Sequence, residues 1–223
     1  MKIGLVDLKW LGHSGFLIKY GEKNIYIDPF KIPENMEKAD LVLITHSHYD
    51  HCSIEDLVKI IKDGTNIFVP ADVQSKITKL DKKIEMQIME PGDEIEILGM
   101  KVEAMPAYNL KKSFHTKSEG WLGYVLKIEN TIIYHAGDTD LIPEMEKLTG
   151  YSKKGNDFVA LLPVGGNFTM NAEEAAEAAK IIKATYIIPM HYGSVVGEKG
   201  DAVKFCEIGS DGGVSCKILE KGE

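Results

Sequence analysis

The sequence contains no arginine. All 26 of its basic residues are lysines and 34 residues are acidic, which gives a formal net charge of -8 at pH 7. Lysine cannot supply the planar, bidentate fork with which arginine binds phosphates and carboxylates. A bound anion therefore has to be held by lysine, backbone N–H groups or a metal ion. The acidic balance disfavours nucleic acid as a partner, because nucleic-acid-binding proteins need a basic face, and it favours a small-molecule substrate.

Cysteine is scarce, and long apolar runs are absent. The three cysteines, Cys52, Cys206 and Cys216, form no C-x-x-C pair and leave an odd count, which predicts reduced thiols in a cytoplasmic protein. Cys52 is interpreted as a small buried residue at a helix start rather than a metal ligand. No segment reaches the roughly 18 apolar residues of a membrane span. Asp7 interrupts the N-terminus before a secretory signal could form. We therefore expect no membrane association.

The order of apolar and polar segments predicts a single α/β domain over residues 1–223. A chain of this length can bury roughly 70% of its unfolded surface. A hairpin is predicted over 3–20, followed by strands over 24–28 and 41–44 and a helix that begins after Ser53. The second half repeats the scheme. Its strands are predicted over 121–128, 131–134, 157–162 and 185–189, with a helix capped by Asn171.

The histidines are concentrated in one place. Three of the seven lie in the segment H-S-H-Y-D-H that begins at His46, directly after the apolar run 41–44. A loop that follows a buried strand can direct several side chains at one point. Because His46 and His48 point the same way while Asp50 and His51 lie past the bend, we expect two adjacent metal ions rather than one. The alternative is a polar loop whose histidines merely titrate.

Four residues outside this motif are further candidates as metal ligands. They are His115, His135, Asp138 and His191. Asp138 and His191 each follow an apolar strand, and Gly137 allows the backbone to turn sharply before Asp138. A carboxylate has two oxygens and can bridge two ions. His135 lies on the strand itself and is interpreted as a packed imidazole.

The H-x-H-x-D-H motif resembles the signature of the metallo-β-lactamase superfamily. Further matches are Asp28-Pro29 after an early strand, Ala136-Gly137-Asp138-Thr139, Leu162-Pro163-Val164-Gly165-Gly166, and Ile188-Pro189-Met190-His191-Tyr192. Together they are most similar to the single-domain branch of predicted metal-dependent hydrolases that contains the ascorbate-6-phosphate lactonases. The superfamily also includes thiolesterases, phosphodiesterases and ribonucleases, so the resemblance indicates a branch and not a substrate.

The resemblance implies a fold and a ligand set. The fold is an α/β, four-layer αββα sandwich with helices outside two facing sheets. In the implied ligand set, one ion is held by His46, His48 and His115, the other by Asp50, His51 and His191, and Asp138 bridges them. Asp28 is expected to support the histidine loop through hydrogen bonds. His13 either contacts ligands or substrate or is a turn histidine bonded to backbone. Thr139 and Tyr192, next to ligands, are candidates for bonds to substrate or ligands.

The third histidine of the first site departs from the commoner family pattern. Many members place it in an Ala-x-His setting, but here the setting is Ala107-Tyr108-Asn109. An asparagine oxygen is a poor zinc ligand beside two imidazoles. His115 is the only other imidazole in the polar segment 106–120. We therefore expect this segment to fold back so that His115 reaches the ion, with Asn109 as the alternative ligand.

This ligand set predicts a binuclear, metal-dependent hydrolase. Zinc is expected, with manganese, iron or nickel as alternatives. A water shared by two divalent ions loses its proton near neutrality, and the metal-bound hydroxide can attack a small anionic ester, lactone or phosphoester. Asp50 is expected to carry the proton to the leaving group. Lys111, Lys112 and Lys117 are candidates to steer anions to the site, or else form a solvated loop without specificity.

Two other functions stay open at this point. A phosphodiesterase or nuclease would use the same ligands, although the acidic balance weighs against it. A non-catalytic metal-binding protein would use the ions structurally, but structural zinc sites are usually closed by four protein ligands, and seven ligands over two ions leave positions open. The sequence determines neither the substrate nor the native metal, and it leaves open whether the chain forms a homo-oligomer.

Overall fold

Two seven-stranded sheets face one another, with helices on their outer surfaces. The computed structural model describes residues 1–152, 155–211 and 213–222. This architecture is the four-layer αββα sandwich that the family resemblance implied.

The first sheet comes from the N-terminal half of the chain. In spatial and chain order its strands are β1 (Lys2–Ile3), β2 (Val6–Gly12), β3 (Gly15–Tyr20), β4 (Lys23–Ile27), β5 (Leu41–Leu43), β6 (Asn66–Val69) and β7 (Glu85–Ile88). Strands β1 to β4 pair antiparallel, and β4 to β7 pair parallel. The predicted N-terminal hairpin is present, but its first strand is broken at Gly4, whose φ of 55° turns β1 back onto β2.

The second sheet repeats this plan in the C-terminal half. Its strands are β8 (Glu94–Ile97), β9 (Met100–Pro106), β10 (Leu122–Ile128), β11 (Thr131–His135), β12 (Asp157–Pro163), β13 (Tyr186–Met190) and β14 (Ser215–Cys216). Strands β8 to β11 pair antiparallel, and β11 to β14 pair parallel. The carboxyl ends of β9, β11, β12 and β13 therefore lie at the same edge of this sheet.

The helices are α1 (Ile54–Ile60), α2 (Gln74–Ile77), α3 (Ala172–Ile182) and α4 (Lys199–Asp211). Two of these helices, α1 and α3, begin directly after the N-cap residues that the sequence predicted. The Ser53 side chain accepts a hydrogen bond from the backbone N–H of Asp56, and Asn171 and Glu174 form a reciprocal capping box. Within the described residues, none of these helices combines the length and the apolar character needed to cross a bilayer.

The main apolar core lies between the two sheets. One cluster of buried side chains joins residues of the first sheet, such as Phe16 and Ile18, to residues of the second, such as Leu126 and Ile133. A second cluster, which includes Val42 and Leu57, lies on the outer face of the first sheet under α1. Burial of these side chains supplies the main driving force for folding and fixes the sheet edges that carry the functional loops.

The prediction of three reduced thiols is wrong. Cys206 on α4 and Cys216 on β14 form a disulfide; their Cα atoms are 5.2 Å apart, and their sequence separation is 10. Neither element was predicted, so their proximity could not be inferred from cysteine spacing. Cys52 is a free, buried thiol before α1, as predicted. With a disulfide in the fold, the cysteine content no longer supports a cytoplasmic location.

Candidate metal centre

The loops at one edge of the sandwich bring two groups of metal-binding side chains together. The first group consists of His46, His48, His115 and Asp138, and the second of His13, Asp50, His51 and His191. Within each group the potential ligand atoms lie within 4.8 Å of one another. The seven residues of the predicted ligand set all fall within these two groups of side chains. His13 is the additional member.

Asp138 lies between the two groups. Its Oδ1 is 3.3 Å from Nε2 of His51, and its Oδ2 is 3.1 Å from Nε2 of His191, so it faces the second group. The same Oδ2 is 3.9 Å from Nε2 of His46 and 3.9 Å from Nδ1 of His115 in the first group. One carboxylate thus faces nitrogen donors of both groups, which is the arrangement a bridging ligand requires.

Glycine places Asp138 at the strand end. Gly137 has a φ of +66°, and a Cβ built on it would lie 2.5 Å from the carbonyl oxygen of Leu122. A side chain at this position would therefore clash with the neighbouring strand in a backbone conformation that it would already disfavour. The expectation from the sequence that Gly137 turns the chain sharply before Asp138 is confirmed.

The backbone is unusual at several site residues. In the described residues, eight non-glycine positions have positive φ, and four of them belong to this centre, namely His13, Asp28, His115 and His191. Such conformations cost energy and persist where the surrounding structure imposes them, often at functional sites. Here they direct side chains from four different loops toward one point.

Asp28 orients the histidine loop from beneath. Its Oδ1 accepts a hydrogen bond from the backbone N–H of Thr45 at 2.8 Å, and its Oδ2 contacts Nδ1 of His51 at 2.7 Å. Thr45 Oγ1 also donates to Asp28 Oδ2 at 2.6 Å and lies 2.9 Å from Nδ1 of His46. The Nδ1 atoms of both histidines are thereby engaged, and their Nε2 atoms face Asp138. This is the supporting role expected for Asp28.

The donor atoms fit a metal ion. Among the described residues, several buried atoms have no hydrogen-bond partner in the protein, including Nε2 of His46, Nε2 of His51, Nδ1 of His115 and Oδ1 of Asp138. Buried polar atoms are normally paired, so a cluster of unpaired donors indicates a missing ligand. Burial lowers the pKa of His46 and lowers that of His115 to about 4. Both imidazoles are therefore neutral, the form that binds metals.

His13 contacts Asp50 directly. Its Nε2 lies 2.9 Å from Oδ2 of Asp50, and its ring centroid is 4.2 Å from that of His191. Although burial favours the neutral acid, the hydrogen bond from His13 and the charge of His51 hold the pKa of Asp50 at about 2. Asp50 is thus a carboxylate at neutral pH. Of the two interpretations of His13, the structure supports contact with a ligand rather than a turn histidine bonded only to backbone.

Sequence reasoning missed Trp121. Its ring lies 4.5 Å from the ring of His46, 4.9 Å from that of His48 and 5.1 Å from that of His115, measured between centroids. Its indole N–H donates to Oδ2 of Asp72 at 2.7 Å. The indole therefore forms a fixed wall behind the three imidazoles of the first group. The only available signal was its position directly after the polar segment 106–120.

The polar segment 106–120 folds back to the centre, as expected. The backbone N–H of Asn109 donates to the carbonyl of His115 at 2.6 Å. The Asn109 side-chain amide donates to the carbonyl oxygens of Phe114, at 3.1 Å, and Phe168, at 2.8 Å. Asn109 therefore closes the turn, while His115 presents its ring to the first group. Two of the three lysines of the segment are engaged elsewhere, because Lys112 pairs with Asp140 and Lys117 with Glu144, while Lys111 is exposed.

Three candidates lie outside the two groups. His135 is a packed imidazole, as predicted, because its Nε2 donates to the carbonyl of Ser14 and its Nδ1 accepts from the N–H of Gly137. Thr139 Oγ1 lies 3.0 Å from the carbonyl of Tyr108 and 2.8 Å from that of Asp140. The Tyr192 ring is buried against Trp10, with 4.9 Å between centroids. Thr139 and Tyr192 thus contribute packing and loop contacts.

A cavity of about 260 Å³ opens onto the two groups. Its inner wall is formed by His48, Asp50, His115, Asp138 and His191, and its outer wall by Tyr49, Phe168 and Val195. Ligand pockets in proteins typically measure about 300 to 1,000 Å³, so this one suits a small molecule. A substrate that enters it meets the candidate ligands directly.

Comparisons with known proteins identify the family and the fold. The family described as "Beta-lactamase superfamily domain" matches residues 7–191. A protein of Pyrococcus abyssi named a metal-dependent hydrolase is 34% identical over 98% of both chains. A solved metallo hydrolase of the hyperthermophilic archaeon Ignicoccus hospitalis is 26% identical, with a TM-score of 0.78 over 98% of this chain and 96% of that one. A Parabacteroides distasonis structure is 29% identical, with a TM-score of 0.83 over 96% and 94%.

Proposed function

Because the chain belongs to the metallo-β-lactamase superfamily of metal-dependent hydrolases, we propose that it is a binuclear hydrolase built around Asp138. The observation that carries this proposal is the position of the Asp138 carboxylate between two groups of buried, unpaired donors. In the proposed arrangement His46, His48 and His115 hold one ion, Asp50, His51 and His191 hold the other, and Asp138 bridges them. Zinc suits these ligands, and manganese, iron or nickel would also be accepted.

The bound ions and the protein side chains would have different roles in the reaction. Two bound divalent ions would lower the pKa of a shared water and polarise a carbonyl or phosphoryl oxygen of the substrate. The side chains then position the reactants and move protons. Asp28 and Thr45 fix the rings of His46 and His51, and the indole of Trp121 forms the wall behind the first group.

Asp50 is the proposed proton carrier. It lines the cavity, it belongs to the second group, and its Oδ2 is paired with Nε2 of His13 at 2.9 Å. As a carboxylate it can take up the proton released by the attacking water and deliver it to the leaving oxygen or sulfur. His13 would hold Asp50 in position during this transfer.

The proposed substrate is a small ester, lactone or phosphoester. Lactones are included because the sequence motifs resemble those of the branch that contains the ascorbate-6-phosphate lactonases. Two divalent ions bring four positive charges against the two carboxylates of Asp50 and Asp138, so the loaded site attracts an anionic group without help from lysine. A nuclease is the second candidate, but a cavity of about 260 Å³ and a net charge of -8 do not favour a nucleic-acid polymer.

A non-catalytic role for the ions is less well supported. Structural zinc sites are closed by protein ligands, whereas here five residues of the two groups line a cavity and His48 is exposed. A centre that a small molecule can enter is typical of catalytic sites.

The test combines metal analysis with a hydrolysis panel. Protein as isolated is analysed for bound metals and then assayed on lactones, thioesters and phosphodiesters, with and without a chelator. We expect two equivalents of metal per chain and hydrolysis that is lost with the chelator and restored by added metal. If the loaded protein hydrolyses no member of the panel, the enzymatic proposal is overturned. Asp81→Ala, on an exposed turn, is the matched control for substitutions of the site aspartates.

A further inference from the structure

Exposed apolar side chains surround the entrance to the metal centre. In the described residues only eight large apolar side chains are exposed, and four of them lie at this entrance. They are Tyr49, Phe114, Phe168 and Val195, with exposed fractions of 65%, 36%, 41% and 38%, and are called the apolar rim below. Contiguous exposed apolar surface on a monomer commonly marks a binding site.

The apolar rim is continuous with the cavity. Tyr49, Phe168 and Val195 line the same cavity as the candidate ligands. Phe114 packs edge-to-face against Phe168 at 5.2 Å and against the ring of His115 at 5.5 Å, so it extends this wall outward. The four side chains come from the loops after β5, β9, β12 and β13. A molecule bound at the ions would therefore lie against apolar surface supplied by both sheets.

No lysine lines this cavity within the described residues. Lys112, the loop lysine nearest in sequence to Phe114, pairs with Asp140 and donates to the carbonyl of Thr169. Lys117 pairs with Glu144 at 2.8 Å. With these two ammonium groups bound to carboxylates and no arginine in the chain, the described residues of the cavity wall offer no cationic side chain to a phosphate or a second carboxylate. This wall therefore favours a substrate whose outer part is uncharged.

The rim is held in place by hydrogen bonds of its own loops. The carbonyl of Phe168 accepts from the side-chain amide of Asn109 at 2.8 Å. The neighbouring Thr169 N–H donates to the carbonyl of Gly166 at 2.6 Å. A wall that is formed before the ligand arrives binds with less loss of conformational entropy. The backbone that carries Phe168 is therefore anchored to the neighbouring loop.

We propose that the substrate carries an apolar alkyl or aryl group that packs on the apolar rim while its scissile bond lies at the metal centre. This inference rests on the proposed function and narrows it to hydrophobic esters, thioesters or lactones, as opposed to sugar phosphates. In the hydrolysis, the water oxygen bonds to the acyl carbon and the bond from that carbon to the leaving oxygen or sulfur breaks. One water proton ends on the leaving atom. An ester or thioester gives an acid and an alcohol or thiol, and a lactone opens to a single hydroxy acid.

The kinetic test is a series of substrates that differ only in chain length. Acyl p-nitrophenyl esters from acetyl to octanoyl, and γ-lactones with alkyl side chains of the same lengths, are assayed with metal-loaded protein. We expect kcat/KM to rise by about twofold to fourfold per methylene until the rim is covered, as burial of a methylene predicts. A value of kcat/KM that is flat or falls with chain length overturns the inference.

Matched variants locate the effect on the rim. Val195→Ser and Phe168→Ser are expected to reduce the gain per methylene, so that the loss relative to the native chain grows with chain length. Val203→Ser is the control, because Val203 on α4 has a similar exposed fraction, 41%, and is not part of the cavity wall. Equal slopes for Val195→Ser, Phe168→Ser and Val203→Ser would contradict the assignment.

A binding measurement separates this inference from the proposed function. Calorimetric titration with the product carboxylates, acetate to octanoate, is expected to show affinity that increases with chain length in the native chain and Val203→Ser but much less in Val195→Ser. If no ester, thioester, lactone or phosphodiester is hydrolysed in a chelator-sensitive way, the proposed function fails, and this titration still tests the rim. If hydrolysis occurs but affinity does not depend on chain length, only the rim proposal fails.

Discussion

At the scale of single residues, the centre depends on Asp138, which faces nitrogen donors of both groups. We predict that Asp138→Ala loses at least one of two bound ions, because removal of the bridge takes one oxygen from each site. Elemental analysis of the purified variant measures this, with Asp81→Ala as the control. A full two equivalents of metal in Asp138→Ala would remove this residue from the bridging role.

Asp50 is predicted to serve as both ligand and proton carrier, and substitution can separate the two roles. An amide oxygen can still bind metal but cannot carry a proton. Asp50→Asn should therefore retain part of its metal and lose about 100-fold or more in kcat, the usual scale of general acid–base catalysis. Metal content and kcat are measured on the same preparation. Turnover at the native rate would refute the proton-carrier assignment.

The site residues that could be identified from the sequence differ in kind from those that were found only in the structure. Histidines and aspartates that follow apolar runs could be named as candidates from their type and position, and the family resemblance supplied the complete ligand set, which includes His115. The contact of His13 with Asp50 and the packing of Trp121 on His46 and His48 join residues more than 30 positions apart. No local pattern encodes such contacts. Lysine side chains near His115 suggested anion steering, but their partners, Asp140 and Glu144, come from another loop.

At the scale of elements, the segment 106–120 connects metal binding to loop order. We predict that His115→Ala weakens the first site selectively and makes this segment more sensitive to trypsin at its exposed Lys111. Asn109→Ala should also raise protease sensitivity, because its amide closes the turn through Phe114 and Phe168. The metal affinity of Asn109→Ala should fall less than that of His115→Ala, because the His115 ring remains.

Metal titration and limited proteolysis of His115→Ala and Asn109→Ala decide which of these residues is the third ligand of the first site. The reverse pattern, with affinity controlled by Asn109 and unaffected by His115→Ala, would give the ligand set His46, His48 and Asn109. The preference for zinc would then weaken, because an amide oxygen is a poor zinc ligand beside two imidazoles.

Helices and strands with a strong local sequence pattern could be predicted from the sequence, and those without such a pattern could not. The buried strand β5 and the caps of α1 and α3 follow from apolar runs and from Ser53 and Asn171. α4 buries only a few side chains, among them Ala202 and Phe205, and so shows little helical periodicity. The two-residue strand β14 forms only because β13 offers its edge. These two missed elements carry the disulfide, which explains the wrong thiol prediction.

The disulfide gives a prediction for stability at this scale. Replacing both Cys206 and Cys216 by serine should lower the free energy of unfolding by about 2–3 kcal/mol, because a short loop in the unfolded chain is no longer closed. Urea denaturation of the oxidised native chain and of the double variant measures the difference. Metal content should not change, since neither cysteine belongs to the two ligand groups. Equal stability of the two proteins would show that the cross-link does not stabilise the fold.

At the scale of the whole molecule, two sheets of similar plan meet over a common core, and their loops meet at one edge. The first sheet supplies His13, His46, His48, Asp50 and His51, and the second supplies His115, Asp138 and His191. The centre is therefore complete only when both halves are folded against each other. Composition and the family resemblance indicated this architecture, whereas the apolar rim around its entrance emerged only from the assembled loops.

The most direct test of the binuclear centre is anomalous X-ray diffraction from crystals of the metal-loaded protein, with data collected on both sides of the absorption edge of the metal found by elemental analysis. We predict two anomalous peaks about 3.5–4 Å apart, the usual separation in two-metal sites, with the Asp138 carboxylate between them. One peak should contact His46, His48 and His115, and the other Asp50, His51 and His191. A single peak, or peaks away from Asp138, would contradict the account.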